Sequence, residues 1–195
     1  MQKTPCSLTF EEYLTYSDGT DNRYELVNGT LVLLKLGTGL QGEITDFLER
    51  TFKQEIEQEN QPWSARKLII GVRSPRGGRW DTSRIPDIVV IPNQQWQTLR
   101  NREAVIELNE PAPLLVVEVV SESTKTVDYR SKRSEYSVLE IPEYWIVDPL
   151  ENKVTLCILN EGFYDCAEFQ GDAQILSPTF PKLKLTAAQI LNAGS

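Results

Sequence analysis

Asp87 and Glu118 each stand alone in an apolar run, Ile85-Pro86-Asp87-Ile88-Val89-Val90-Ile91 and Leu114-Leu115-Val116-Val117-Glu118-Val119-Val120. An ionised carboxylate in such a run is costly to bury unless a cation or hydrogen-bond donors meet it. Mg²⁺ suits a pair of them, because it takes one or two protein carboxylates and completes its shell with water and phosphate oxygens. Mn²⁺ accepts the same oxygen ligands. Water held by such an ion becomes a nucleophile. The third group is Lys132, since Asp128, Lys132 and Tyr136 fall at i, i+4 and i+8 on a helical pattern and share roughly one face. The expected chemistry is hydrolysis of a phosphodiester, with Asp87 and Glu118 holding the metal and Lys132 positioning water or stabilising the transition state.

Each of these residues has a plainer reading beside the chemical one. Asp87 follows Pro86 and could cap a strand or accept turn hydrogen bonds, Glu118 could be half of a buried salt bridge, and Lys132 could pair with Asp128 on a solvated helix face. Glu25 either completes the metal site or caps backbone amides. Asp128 either orients Lys132 or complements the helix dipole. Tyr136, Tyr144 and Trp145 read as core aromatics rather than base-stacking platforms.

Composition narrows the chemistry further. The chain has no histidine, which removes Ser-His-Asp, Cys-His and His-liganded zinc mechanisms. Cys6, Cys157 and Cys166 fit neither a disulfide framework nor a zinc site, so reduced thiols are expected. The net charge of −8 argues against indiscriminate binding to a polyanion. Residues 65–84 nevertheless carry Arg66, Lys67, Arg73, Arg76, Arg79 and Arg84 against Asp81 alone. Arg73, Arg76, Arg79 and Arg84 are therefore the candidates for guiding a phosphate backbone. At 195 residues one domain, 1–195, is expected. No stretch is long and apolar enough for a bilayer, and Met1 to Pro5 lack a signal-peptide core, so a cytoplasmic location and no membrane partner are expected.

The elements that must position these groups follow from patterning. Ser7 is expected to cap a short helix through Leu14. Arg23 to Val27 and Thr30 to Leu34 flank Asn28-Gly29, the signal of a tight hairpin. Leu40, Ile44, Phe47, Leu48, Phe52 and Ile56 mark an amphipathic helix. Trp63 to Val72 reads as one strand, and Ser74 to Arg79 as a turn. The two acid-bearing runs read as buried strands. Residues 94–109 are a helical turn and a connection of undefined structure. A helix over Asp128 to Leu139 ends at Ile141-Pro142. Glu143 to Asp148 forms another strand. Lys153 to Leu159 and Phe163 to Phe169 form a hairpin around Asn160-Glu161-Gly162, and Leu185 to Leu191 reads as a closing helix.

These segments resemble a known family. Arg23-Tyr24-Glu25-Leu26-Val27-Asn28-Gly29, Pro86-Asp87-Ile88-Val89-Val90, Leu115 to Thr124, Asp128-Tyr129-Arg130-Ser131-Lys132 and Pro142 to Pro149 are similar to the Uma-two family of restriction-endonuclease-like proteins, over nearly the whole chain. The resemblance implies an α/β (α+β) fold of the PD-(D/E)XK superfamily, a mixed central sheet flanked by helices, here with an N-terminal and a C-terminal hairpin. It implies Mg²⁺-dependent cleavage of DNA, often by a homodimer, with Asp87 as the "PD" aspartate and Glu118 as the (D/E). Two positions depart from the pattern. Val120 stands where the formal motif has lysine, the role passing to Lys132, and Gln41 stands at a helix start where many relatives carry histidine. These departures keep an alternative open, a weak or inactive nuclease-fold module that binds nucleic acid or a protein. A hydrolase of another phosphate ester would use the same acids.

Overall fold

A computed structural model describes residues 7–193, so Cys6 and Met1 to Pro5 lie outside the described residues. The chain forms a mixed α+β fold around two sheets. The larger has six strands: β3 (Trp63–Lys67), β6 (Ile88–Pro92), β8 (Leu115–Val119), β9 (Glu143–Asp148), β10 (Lys153–Asn160) and β11 (Phe163–Phe169), in the order β11-β10-β9-β8-β6-β3. Only β8 and β9 run parallel, and the chain crosses between them through a helical segment. Both faces of this sheet are covered. Val117, Val119, Trp145 and Val147 point to one side, against Ile44, Leu48 and Phe52 of α2 (Gly39–Gln58). Val116, Val120, Tyr144 and Ile146 point to the other, against Tyr136 and Ile141. Cover on both sides explains why these strands are continuously apolar, and why a carboxylate among them is conspicuous.

The smaller sheet has five strands: β1 (Tyr24–Val27), β2 (Thr30–Leu33), β4 (Gly71–Arg73), β5 (Ser83–Arg84) and β7 (Val105–Ile106), in the order β2-β1-β5-β4-β7. Its edge is the expected N-terminal hairpin, turned by Asn28 and Gly29 with φ of 49° and 80°. Gly29 is required twice over, since a Cβ there would lie 2.0 Å from the Ser7 hydroxyl oxygen and 2.9 Å from the Leu8 carbonyl oxygen.

Several local expectations are corrected. Trp63 to Val72 is two strands in different sheets, because Leu68 turns left-handed (φ 53°) and its N–H bonds the Asp87 carbonyl. The first helix, α1 (Phe10–Leu14), is capped by Thr9 in a capping box with Glu12, and Ser7 instead accepts from Arg79. The unassigned stretch holds α3 (Asn93–Leu99) and β7. The helix after β8 begins with a π-helical turn, Val127–Lys132, and becomes α-helical as α4 (Arg133–Val138). The closing helix is α5 (Ala187–Leu191), capped by Thr186. Cys157 and Cys166 are joined in a disulfide rather than being free thiols. The cause is register: a two-residue turn at Glu161-Gly162 pairs Asn160 with Phe163 and sets the cysteines opposite one another, Cα atoms 4.1 Å apart. Among the described residues no helix is long and apolar enough to cross a membrane.

Candidate active site

β6 and β8 are antiparallel neighbours with Ile88 opposite Val117. One further step of that register sets Asp87, just before β6, opposite Glu118. Alternation then gives both residues the face shared by Val89, Val116 and Val120. The link between the two strand ends is direct, because Asp87 Oδ2 accepts the Val119 N–H at 2.6 Å.

The helical segment after β8 crosses this same face. Lys132 Nζ lies 2.7 Å from Glu118 Oε2 and 3.0 Å from Asp128 Oδ1. Tyr136 donates its hydroxyl to Glu118 Oε1 at 2.8 Å, and Tyr144 donates to the Asp128 carbonyl at 3.0 Å. Glu118 is only 3% exposed, and Asp128 and Lys132 are likewise buried, whereas Asp87 is part-exposed and forms the solvent-facing edge. Asp128 Oδ1 has its ion contact with Lys132 but no directed hydrogen bond.

Burial dominates the electrostatics. It pushes the Asp87 carboxyl up to about 6, against the Val119 N–H and Lys132, which pull it down. Burial likewise raises Glu118 well above its ordinary value; Lys132 opposes this, and Asp128, Asp87 and Glu25 add to it. For Lys132 burial favours the neutral amine, but Glu118, Asp128 and Glu25 outweigh it and keep the ammonium charged. Three carboxylates thus face one lysine.

A second charge cluster adjoins the first and is balanced. Arg84 grips Glu135 with Nε and Nη2 (2.8 and 3.0 Å) and Glu25 with Nη1 (3.0 Å), and Arg76 adds a contact to Glu135 at 3.0 Å. The other Glu25 oxygen accepts the Ile85 N–H. Burial raises the Glu25 pKa, but Lys132, Arg84 and the Ile85 N–H outweigh it and leave it lowered. Of the two readings of Glu25, amide capping together with an ion pair is the geometry found.

The expectation that Arg84 guides DNA is therefore corrected. It is 2% exposed and committed to two carboxylates. Arg73 stacks over the Phe10 ring and reaches Glu11 and Glu107, Arg76 is held by Glu135, and Arg79 lies between Ser7 and Asp81. The basic run is largely neutralised within the fold.

Three participants were not assigned these roles from the sequence. Gln41, the third residue of α2, accepts the Thr38 N–H and donates to the Val120 carbonyl (3.1 Å) and, longer, to the Val119 carbonyl (3.4 Å), bracing the strand end that carries the acids. Tyr136 is a core aromatic that also fixes Glu118. Glu135 shows no local signal, because its partner Arg84 lies 51 positions away in β5. Val120, at the formal lysine position, is buried core.

The donor set fits a hard divalent ion. Among the described residues no three His, Cys, Asp or Glu side chains form a ready metal cage. A metal would therefore rest on Asp87 and Glu118, the one-or-two-carboxylate arrangement that Mg²⁺ accepts. The excess of carboxylate over ammonium around Lys132 favours an added cation.

Comparisons with known proteins agree with this fold. A putative nuclease belonging to DUF820 from Anabaena variabilis, solved by crystallography, is similar with a TM-score of 0.75 at 18% identity, over 94% of this chain and 97% of that one. At that identity the likeness shows a shared fold. Among curated proteins none matches. The family model Uma2, described as putative restriction endonuclease, matches residues 10–188. The chain accordingly belongs to the Uma2 family of putative restriction endonucleases.

Proposed function

We propose that this protein is a Mg²⁺-dependent endonuclease that hydrolyses DNA phosphodiester bonds, with Asp87 and Glu118 holding the metal and Lys132 assisting. The observation that supports it most is the buried imbalance of Asp87, Glu118 and Asp128 against Lys132 at the joined ends of β6 and β8. When bound, Mg²⁺ supplies Lewis acidity toward a phosphate oxygen and a more acidic water. The chain's own residues do the rest. The Val119 N–H holds Asp87, Tyr136 holds Glu118, and Lys132, kept charged, offers positive charge to the phosphorane-like transition state. The part-exposed Asp87 edge is the side from which a strand would approach.

The test is incubation of the purified protein with plasmid and with single-stranded DNA in Mg²⁺ or Mn²⁺. The parent is expected to cut, and Asp87→Ala and Glu118→Ala are expected not to. Cleavage by both variants at the parent's rate would show the assignment to be wrong. Light scattering checks the homodimer that belongs to this reading.

One observation favours a second reading, a non-cutting module that binds nucleic acid or a protein: both Glu118 oxygens already have partners, Lys132 and Tyr136. Calorimetric titration separates the two. A stoichiometric Mg²⁺ or Mn²⁺ isotherm, lost with cleavage in Glu118→Gln, supports the enzyme, and no isotherm in the parent supports the module.

A further inference from the structure

Both oxygens of Glu118 are engaged, Oε2 by the Lys132 ammonium at 2.7 Å and Oε1 by the Tyr136 hydroxyl at 2.8 Å. Asp87 differs, since its one side-chain hydrogen bond among the described residues runs from the Val119 N–H to Oδ2. A cation shared by the two acids therefore requires a rearrangement at Glu118. An ammonium and a divalent ion on the same carboxylate repel one another, so a partner of Glu118 has to give way.

The two partners are not equally free to do so. Tyr136 is fully buried on α4, with its ring edge-on to that of Tyr144 at 5.1 Å, and Glu118 is the one hydrogen-bond partner of its hydroxyl among the described residues. Lys132 stands on a flexible four-carbon stem and already reaches a second carboxylate, Asp128 Oδ1, at 3.0 Å. That second carboxylate hangs from a fixed backbone. Asp128 is 1% exposed, its N–H bonds the Thr124 carbonyl at 2.9 Å, and its own carbonyl accepts the Tyr144 hydroxyl at 3.0 Å. Helix type brings the acid and the lysine into line. Four residues of α-helix carry the chain about 40° past a full turn. The wider π-helical turn over Val127–Lys132 sets residues four apart closer to one direction, and Lys132 touches Asp128 and Glu118 together.

We propose that Asp128 is a positioning residue that receives the Lys132 ammonium when Glu118 gives an oxygen to a divalent cation. Lys132 then lets go of Glu118 and keeps Asp128, so the ammonium stays charged and stays beside the acids without competing for the oxygen. Asp128 acts through Lys132 and not as a ligand. This inference rests on the metal-dependent reading for the incoming cation, and its tests read binding and position, not cleavage.

The experiment compares crystals of the full chain grown without divalent ions and after soaking in Mn²⁺, read at Lys132. With Mn²⁺ bound, Nζ is expected within hydrogen-bond distance of Asp128 and beyond it from Glu118. Nζ still on Glu118 beside a bound Mn²⁺ overturns the proposal and leaves the metal site standing. No Mn²⁺ at Asp87 and Glu118 overturns the metal-dependent reading and this proposal with it. In solution, calorimetry is expected to show Asp128→Asn binding Mn²⁺ roughly tenfold more weakly than the parent, the scale of one hydrogen bond between charged groups, and Lys132→Met binding it more tightly. Charges fixed in place act on the ion additively, so a purely structural, through-space or ligand role makes Asp128→Asn cost the same with and without Lys132. A lysine placed by Asp128 makes that loss several-fold smaller in the Lys132→Met background. Equal losses in the two backgrounds overturn the proposal. Thermal melts verify that each variant folds, and Lys132→Gln replaces Lys132→Met if the latter does not.

Discussion

Two buried charge clusters lie side by side in this molecule and differ in their balance. Around Arg84, two carboxylates, Glu25 and Glu135, meet two cations, Arg84 and Arg76, with most polar atoms paired. Around Lys132, three carboxylates meet one ammonium, and the pKa values of two acids are driven up. The first cluster is complete and joins the smaller sheet to the helix over the larger one. The second holds more acid than its one ammonium balances. A buried charge is thus a poor guide to function by itself, and an uncompensated one is a better guide.

The largest expected effect would break the comparison by attacking the balanced cluster. Arg84→Met removes the cation shared by Glu25 and Glu135 and should cost about 3–5 kcal/mol in urea unfolding. Glu118→Gln leaves Lys132 paired with Asp128, so its cost without metal should be far smaller, although metal binding is expected to be lost. Equal losses for the two variants would erase the distinction.

Next comes Lys132→Met, which removes the only cation touching Glu118 among the described residues. Cleavage should fall by about two to four orders of magnitude. Because three carboxylates are then left together, the variant should be destabilised at pH 8 and recover on addition of Mn²⁺ more than the parent does. Recovery no greater than the parent's would place the missing charge elsewhere.

A smaller effect concerns pH. The Asp87 pKa is raised to about 6, so in the metal-free protein this group's contribution to stability is most favourable below the ordinary carboxylate pKa and declines as pH rises through about 6. Metal binding runs the other way, since the ion needs the carboxylate ionised. Mn²⁺ affinity measured by calorimetry should fall by about tenfold per pH unit below about 6, as Asp87 takes up the proton that competes with the ion. An affinity flat across that range would mean that Asp87 does not hold the ion.

The smallest effect is expected at Gln41. Gln41→Ala loses one arm of a capping box and the bonds to the Val119 and Val120 carbonyls, about 1 kcal/mol of stability by thermal melting, with a few-fold loss of Mn²⁺ affinity through the Val119 peptide that holds Asp87.

The acids were legible because a strand covered on both faces tolerates few polar residues, and Lys132 because spacing by four survives a change of helix type. The contrasting regions were opaque for physical reasons. The pairing of Arg84 with Glu135 joins residues 51 positions apart in different elements and leaves no local pattern. The left-handed turn at Leu68 occurs without glycine, so nothing marked where one strand run becomes two. No residue type announced the π-helical turn at Val127–Lys132. The disulfide was hidden by one residue of register, since a three-residue turn at Asn160-Glu161-Gly162 would set Cys157 opposite Asp165, and the two-residue turn sets it opposite Cys166.

The most direct measurement is diffraction from a crystal soaked in Mn²⁺, with anomalous density searched around the strand ends. A peak within coordination distance of both Asp87 and Glu118, absent in Glu118→Gln, is the expected result. No peak there in the parent at saturating Mn²⁺, with the two carboxylates well ordered, would contradict the assignment of these acids as a metal site.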